Sequence, residues 1–240
     1  FVGAIDRGAV PVPRYAVSTS VSCAGNLNTF RYLEKKKGGP FTFLDIPYGD
    51  DEASVEYLAG QLRDFAMELE NQFGKTFDEE KLKKALEIEN ATRKELMHFF
   101  RLQSEHYYPG ELISHLYMMM GMHLLIGRQE FLDLIRFMVK DIQSYPKFDG
   151  KKILWVHLLP FYQESLREYF NESEKYQIIA SDIIIDSMEE LDASRPFHAL
   201  AKKIIHNLYN GSYDHKAQMV GRLAAVSYTH LRAHETCADL

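Results

Sequence analysis

Cys23 is the residue whose type and position most directly suggest chemistry. It lies between residues 14–21, which are rich in β-branched and aromatic side chains, and residues 26–37, where apolar residues recur at helical spacing. A thiol between the carboxyl end of a strand and the start of a helix lies where open α/β sheets bind ligands. The helix dipole there favours the thiolate, which binds metal or attacks electrophiles. The alternative is a small buried side chain, since free cysteine is often buried.

One thiol does not complete a metal site. Iron–sulfur clusters are usually held by three or four thiolates, and the only other cysteine is Cys237, near the C-terminus. If Cys23 binds a cluster, we expect the remaining ligands outside this sequence. No G-x-G-x-x-G after a strand, no Walker lysine motif and no G-x-S-x-G elbow is present, so dinucleotide, P-loop and serine-hydrolase functions have no support.

His157 and Asp182 lie in the last part of two predicted strands, residues 152–159 and 177–185. A histidine at the carboxyl edge of a parallel sheet can donate a hydrogen bond to a substrate carbonyl or transfer a proton. Both residues are therefore candidate catalytic residues. The alternatives are a hydrogen-bonded core histidine for His157 and a carboxylate that faces a turn for Asp182.

The most apolar stretch, residues 112–126, contains His115 and His123. It is shorter than the roughly 20 apolar residues that a bilayer requires, so the sequence predicts a buried helix. The two histidines are separated by roughly 80° around a helix axis and cannot bind one metal ion without a third ligand. We interpret both as packing residues.

Composition places the chain among ordinary globular proteins, with 240 residues, 46% hydrophobic and 26% charged. A formal net charge of -6 argues against a nucleic-acid-binding surface. Two distant cysteines do not form the framework of a disulfide-stapled secreted protein, and no signal-peptide pattern is present. These features predict a cytoplasmic protein.

Hydrophobic periodicity predicts an α/β fold. The pattern predicts a strand at residues 14–21, a helix at residues 26–37 and a second strand at residues 41–46. Together these would form a parallel βαβ unit. Together with the later strands, this predicts two Rossmann- or flavodoxin-like parallel-sheet lobes with a helical insertion between them. That the chain is truncated at both ends is implied by the family resemblance given below. The predicted domains are the C-terminal part of the first lobe (1–49), the helical region (50–145), the N-terminal part of the second lobe (146–225) and a tail (226–240).

The tail does not continue the helical pattern and supplies His230, His234 and Cys237 together. These residues lack the paired spacing of a zinc site. The string SYTHLRAHET resembles a translated sequencing-adapter read-through. We therefore interpret residues 226–240 as a non-native, adapter-derived tail and exclude them from the functional argument.

Several ordered blocks resemble one known family. SCAGNLNTFRYLE, FLDIPY, ILWVHLLPFYQ and RPFHALAKKIIHNLYNG are similar to the 2-hydroxyacyl-CoA dehydratase D-component family, which includes benzoyl-CoA reductase subunits. The resemblance covers about residues 1–225. It implies two α/β domains with a helical part, paired as a heterodimer in which each subunit holds a 4Fe–4S cluster on three cysteines. Cys23 matches a family cluster ligand, although Ala24 replaces the usual acidic neighbour.

The resemblance also implies a function. It indicates a subunit of an iron–sulfur, radical-type (R)-2-hydroxyacyl-CoA dehydratase, a lyase that removes water from a 2-hydroxyacyl-CoA after one-electron activation. The implied partners are a second homologous subunit, an ATP-hydrolysing electron-donating activator and the acyl-CoA substrate, with no nucleic acid or membrane. The alternatives are a benzoyl-CoA reductase-type subunit and a non-catalytic partner subunit. This chain is expected to be inactive alone, because the family's other cluster ligands would lie upstream and downstream of it.

Overall fold

A computed structural model of the chain describes residues 2–21, 25–185 and 189–227. These residues form two compact units: unit 1 takes the described residues of 2–79 and 195–212, and unit 2 those of 80–194 and 213–227. The elements in chain order are α1 (Val2–Asp6), β1 (Ala16–Thr19), α2 (Gly25–Lys37), β2 (Phe41–Leu44), α3 (Glu52–Phe73), α4 (Glu79–Gln103), α5 (Leu112–Leu124), α6 (Gln129–Ile142), β3 (Lys151–Trp155), α7 (Glu164–Phe170), β4 (Tyr176–Ser181), α8 (Pro196–Ile205) and α9 (Tyr213–Ser227).

Unit 1 contains the first βαβ unit. Its strands β1 and β2 pair in parallel, in a register that runs from Ala16 opposite Phe41 to Thr19 opposite Leu44. Helix α2 connects them, as parallel strands require a crossover rather than a tight turn. The predicted parallel βαβ unit is confirmed.

Helix α3 provides the main core of unit 1. Its first turn is capped by Asp51, whose carboxylate accepts a hydrogen bond from the Ser54 backbone N–H at 2.9 Å. It ends at Gly74, which has the left-handed φ of 62° that a helix C-cap commonly needs. Its fully buried face packs with β2 and α8, in a cluster of Leu44, Ile46, Val55, Leu58, Ala59, Ala201 and Ile205.

Unit 2 combines helices α4, α5 and α6 with a second parallel pair, β3 and β4. Helix α7 connects the two strands, and α9 contacts β4. The core joins the inner faces of the helices to the sheet and comprises Leu96, Phe99, Phe100, Met122, Phe131, Ile135, Val139, Ile142, Ala180, Ile184, Ile185 and Leu223.

The buried Gln177 side chain attaches β4 to the end of α4. Its amide nitrogen donates to the carbonyl oxygens of Gln103 at 2.6 Å and His106 at 3.0 Å. Its amide oxygen accepts from the Tyr108 backbone N–H at 2.8 Å. One buried amide thereby satisfies three backbone groups, which would otherwise be costly to bury at a helix end.

Two expectations need correction. The strand predicted over residues 152–159 ends at Trp155, and Val156 and Leu158 beyond it are 47% and 60% exposed. The chain turns at His157, whose φ of 75° is incompatible with a continuing strand. Helix α5 is also only partly buried, since Tyr117 and Leu124 are 68% and 66% exposed.

The structure therefore establishes a mixed α/β protein whose described residues form two parallel two-stranded sheets and many helices. Residues Arg195–Ser212, including α8, group with unit 1. The four-segment division and the Rossmann-like lobes stay predictions. None of the helices in the described ranges is both long enough and apolar enough to cross a membrane.

The contact between α5 and α6 gives a first testable prediction. A Cβ atom added to Gly121 would overlap the ring of the buried Phe131. We expect Gly121→Ala to lower the free energy of unfolding by about 1–3 kcal/mol, because overpacking outweighs the better helix propensity of alanine. Chemical denaturation measures this change.

Gly221→Ala is the matched control, since Gly221 lies inside α9 and its added Cβ would meet no atom within 4 Å. We expect this substitution to stabilise the protein by up to about 1 kcal/mol. Equal effects of the two substitutions would contradict the packing described for α5 and α6.

Candidate functional site

The carboxyl edge of the second sheet brings His157 and Asp182 together. Asp182 directly follows β4 and is fully buried. Its carboxylate accepts a hydrogen bond from the His157 backbone N–H at 2.7 Å, and its own N–H donates to the Trp155 carbonyl at 3.2 Å. Asp182 therefore connects the end of β4 to the loop that leaves β3.

His157 has an unusual backbone conformation. Its φ of 75° lies in the left-handed region, which is unfavourable for a residue with a Cβ atom. The hydrogen bond from its N–H to the Asp182 carboxylate helps to hold it there. Such local strain persists only where surrounding interactions determine it, and it is concentrated at functional sites.

The His157 imidazole is exposed at this edge and is not part of the core. Its Nδ1 accepts a hydrogen bond from the Leu158 backbone N–H at 2.7 Å. The neutral ring therefore carries its proton on Nε2, the nitrogen from which it can donate to another molecule.

A cavity of about 40 Å³ lies at the same edge of the sheet. The loop after β3 contributes Leu158 and Leu159, helix α5 contributes His115, and the end of β4 contributes Ser181. Ser181 is only 3% exposed, and its Oγ has no hydrogen-bond partner within the described ranges. A buried hydroxyl without a partner is unfavourable, so this group requires an explanation.

His115 lines this cavity and also a second one of about 250 Å³, which contains side chains of α4, α5, α6 and β4. Burial lowers the pKa of His115 to about 4. The ring is therefore neutral at pH 7, and its two nitrogens then comprise one donor and one acceptor.

Neither cavity is lined by a charged side chain among the residues that the structure describes. The polar lining consists of neutral groups, which in the larger cavity include Gln103, Tyr108 and Gln177. Since an unpaired charge is strongly unfavourable away from water, these cavities suit neutral molecules.

Sequence reasoning missed two of these residues. Ser181 immediately precedes Asp182, so the strand-edge argument that selected Asp182 could also have found it. His115 was interpreted as a packing residue, because nothing in a helical pattern reveals that a side chain lines two cavities.

The predicted cluster ligand, Cys23, lies outside the described residues, and so does Cys237. The described part of the chain therefore contains no thiol, and it has no group of three or more His, Asp or Glu side chains able to hold a metal ion. On their own these residues do not fit an iron–sulfur cluster, whose iron atoms are held by thiolates.

Comparison with known proteins shows the family. Residues 4–227 match the family model for the 2-hydroxyglutaryl-CoA dehydratase D-component, which covers most of the chain. The chain belongs to this family. The membership of the D-component family that the sequence blocks predicted is thereby confirmed.

One relative of this chain is the alpha subunit of (R)-2-hydroxyglutaryl-CoA dehydratase from Acidaminococcus fermentans. The two are 21% identical over 145 residues, which make up 58% of this chain and 30% of the relative. The matched region thus covers less than a third of that subunit.

The Asp182 contact gives a second prediction. We expect Asp182→Ala to lower the free energy of unfolding by about 1–3 kcal/mol, because it leaves the His157 N–H without its carboxylate acceptor. Urea denaturation followed by the fluorescence of Trp155, the single tryptophan, measures the change.

Asp149→Ala is the control, since Asp149 is an exposed residue of the same unit. We expect it to change stability by less than about 0.5 kcal/mol. A loss equal to that of Asp182→Ala would show that the Asp182 contact contributes little.

The neutral His115 gives a third prediction. Its folded pKa of about 4 lies below the unfolded value of 6.5, so the unfolded state binds more protons between these values. The stability due to neutral His115 is present above pH 6.5 and is lost as the pH falls towards 4. We expect His115→Phe to reduce this pH dependence by up to about 1.4 kcal/mol per pH unit.

Denaturation of wild type and His115→Phe at a series of pH values provides the measurement. Nuclear magnetic resonance of the His115 ring protons gives the pKa directly. A His115 that titrates near 6.5 in the folded protein would refute the expected pH dependence.

Proposed function

We propose that the chain is part of a subunit of an iron–sulfur, radical-type (R)-2-hydroxyacyl-CoA dehydratase. Such an enzyme removes water from a 2-hydroxyacyl-CoA after one-electron activation. The match of residues 4–227 to the D-component family carries this proposal. The substrate class is supported by the name of the Acidaminococcus fermentans relative, a subunit of (R)-2-hydroxyglutaryl-CoA dehydratase.

We further propose that the two parallel sheets belong to Rossmann- or flavodoxin-like lobes. The boundaries are those predicted, with residues 1–49 in the first lobe, 50–145 in the helical region and 146–225 in the second lobe. The parallel pairing of both strand pairs, each with a connecting helix, supports this assignment.

Cys23 is the proposed ligand of a 4Fe–4S cluster. In the sequence it comes between Thr19, the last residue of β1, and Gly25, the first residue of α2. Its thiol is the donor type that such clusters require, and it matches the family cysteine in the first sequence block. The remaining ligands would come from outside the present sequence.

His157 and Asp182 are proposed to act on the substrate side. The exposed His157 ring accepts a hydrogen bond at Nδ1, so its neutral form can donate from Nε2 to a thioester carbonyl. Asp182 is a positioning residue, since its carboxylate accepts the hydrogen bond of the His157 backbone N–H. Both lie at the carboxyl edge of a parallel sheet, where α/β proteins bind ligands.

The proposed partners are a second homologous subunit and an ATP-hydrolysing activator that donates the electron, all in the cytoplasm. Exposed apolar side chains support a subunit contact in unit 2. Tyr117, Met120 and Leu124 lie at helical spacing on α5, and Phe137 on α6 is 62% exposed. A row of exposed apolar side chains such as the one on α5 is typical of protein interfaces.

The cluster assignment is tested by a fourth prediction. In a complete reading frame that carries this sequence and is expressed anaerobically with its partner subunit, we expect about four iron atoms per subunit. Cys23→Ser should remove most of this iron and leave the circular dichroism spectrum unchanged. Ser22→Ala is the control and should retain the iron, because a hydroxyl is not a cluster ligand.

The outcomes separate the alternatives. Iron bound equally by wild type and Cys23→Ser would refute the ligand assignment. An absence of iron from the wild-type complex would instead indicate a non-catalytic partner subunit. Turnover of an aryl-CoA and not of a 2-hydroxyacyl-CoA would indicate a benzoyl-CoA reductase-type subunit.

A further inference from the structure

The cavity of about 250 Å³ in unit 2, called here the Gln103 cavity, contains a buried amide whose hydrogen bonds are not made by the described residues. Gln103, the last residue of α4, lines this cavity and is only 7% exposed. Its backbone carbonyl accepts from Gln177, but its side-chain amide makes no hydrogen bond with the described part of the chain. Burying an amide without partners is unfavourable, so this group requires an explanation.

The Gln103 amide can be reached from the cavity. Within the described ranges, Ser181 Oγ and His215 Nε2 are the side-chain atoms that are both closed to solvent and without a partner. The Gln103 amide is not among them, so it keeps accessible surface in an otherwise buried residue that lines the cavity. A bound molecule would therefore meet a donor and an acceptor side by side.

His115 adds a second polar side chain to this lining. Burial alone lowers its pKa to about 4, and the described residues form no hydrogen bond with its ring. The other α5 histidine, His123, in contrast bonds the Met119 carbonyl at 2.8 Å. The neutral His115 ring carries one donor and one acceptor. Gln103 and His115 can thus pair with an uncharged group that itself both donates and accepts.

Aromatic rings form much of the wall of the Gln103 cavity. Phe99 and Tyr108 pack edge to face with ring centroids 5.3 Å apart, and Phe170 and Tyr176 form a second such pair at 6.3 Å. A flat ring packs favourably against aromatic side chains. Since a cavity of roughly 150 Å³ accommodates benzene, the volume of about 250 Å³ suffices for one ring with a small substituent.

Charge and access narrow the choice of ligand. No Lys, Arg, Asp or Glu side chain of the described ranges lines the Gln103 cavity, so an ion would lose its hydration without gaining a counter-charge. The exposed Ser114 lies in the lining, and the cavity therefore opens at the first turn of α5. Small-molecule sites commonly combine an apolar wall with a few placed polar groups in this way.

We infer that the Gln103 cavity binds a small uncharged ring compound that carries an amide group. The amide pairs with the Gln103 side chain and the His115 ring, while the ring of the ligand lies among the aromatic side chains. An amide suits the site better than a ketone or a carboxylate, because its adjacent carbonyl and N–H complement those of a glutamine side chain. This inference is independent of the proposed dehydratase activity, since it rests on the lining of the cavity alone.

Three matched probes test the inference by isothermal titration calorimetry of the full chain at neutral pH. The probes are benzamide, acetophenone and benzoate, which share a benzene ring and a planar substituent of similar size. Acetophenone keeps the carbonyl and lacks the N–H, and benzoate carries a negative charge. Thermal denaturation with each probe provides a parallel measurement, because a ligand of the folded state raises Tm.

We expect benzamide to bind saturably and to raise Tm. Acetophenone should bind about tenfold more weakly, which is the usual effect of one lost buried hydrogen bond. Benzoate should bind at least as weakly as acetophenone, because no described cation lines the cavity. Benzamide that does not bind up to its solubility limit, or that binds no better than acetophenone or benzoate, would overturn the inference.

Variants locate the binding. Gln103→Met keeps the length of the side chain and removes its amide, so it should weaken benzamide binding about tenfold and abolish the preference over acetophenone. His115→Phe should also weaken benzamide binding about tenfold. Gln218→Met removes an exposed amide from α9 of the same unit and is the control that should bind normally. Unchanged benzamide affinity in either Gln103→Met or His115→Phe would overturn the assignment.

Gln103→Met also separates binding from folding. The amide makes no hydrogen bond with the described residues, so its removal should leave Tm unchanged or raise it when no ligand is added. A weakened affinity in a variant of normal stability therefore reports a lost contact with the probe. A lowered Tm without ligand would show that the amide already has a partner and would contradict the premise.

Discussion

The second sheet depends on one buried carboxylate. Asp182 accepts the hydrogen bond of the His157 backbone N–H at 2.7 Å while its own N–H bonds Trp155, so the ends of β3 and β4 are held together. A buried aspartate is favourable only with such partners, because leaving its carboxylate without them would cost on the order of several kcal/mol. The same contact helps to hold His157 in a left-handed conformation, where the strand ends and the loop begins.

The position of that loop determines the chemistry available at this edge. Because the chain turns at His157, its imidazole is exposed, and Leu158 and Leu159 close one side of the cavity that contains Ser181. Helix α5 closes another side with the neutral His115. Gln177 anchors the other end of β4 through the carbonyls of Gln103 and His106. Both ends of this strand are thus held by buried polar side chains.

Much of the fold could be predicted from local patterns. The helical spacing that predicted α3 places Val55 and Leu58 in the core, and Gly74 is its C-cap. The β-branched runs predicted the parallel pairs, although β3 ends at Trp155 because its apolar pattern continues past the turn. The apolar residues 112–126 predicted a buried helix, yet α5 exposes Tyr117 and Leu124. Composition does not reveal which face of a helix meets a neighbouring element.

The sequence by itself determined family membership, the order of the main elements and the selection of Cys23, His157 and Asp182 as candidates, since these depend on residue type and local spacing. Only the tertiary structure decided that the Asp182 carboxylate bonds the His157 backbone, and that His115, 66 positions before Ser181 in the chain, shares a cavity with it. The first contact joins the loop after β3 to the end of β4, and the second brings α5 to the same end of β4. Packing between distant segments has no periodicity that a sequence pattern can reveal.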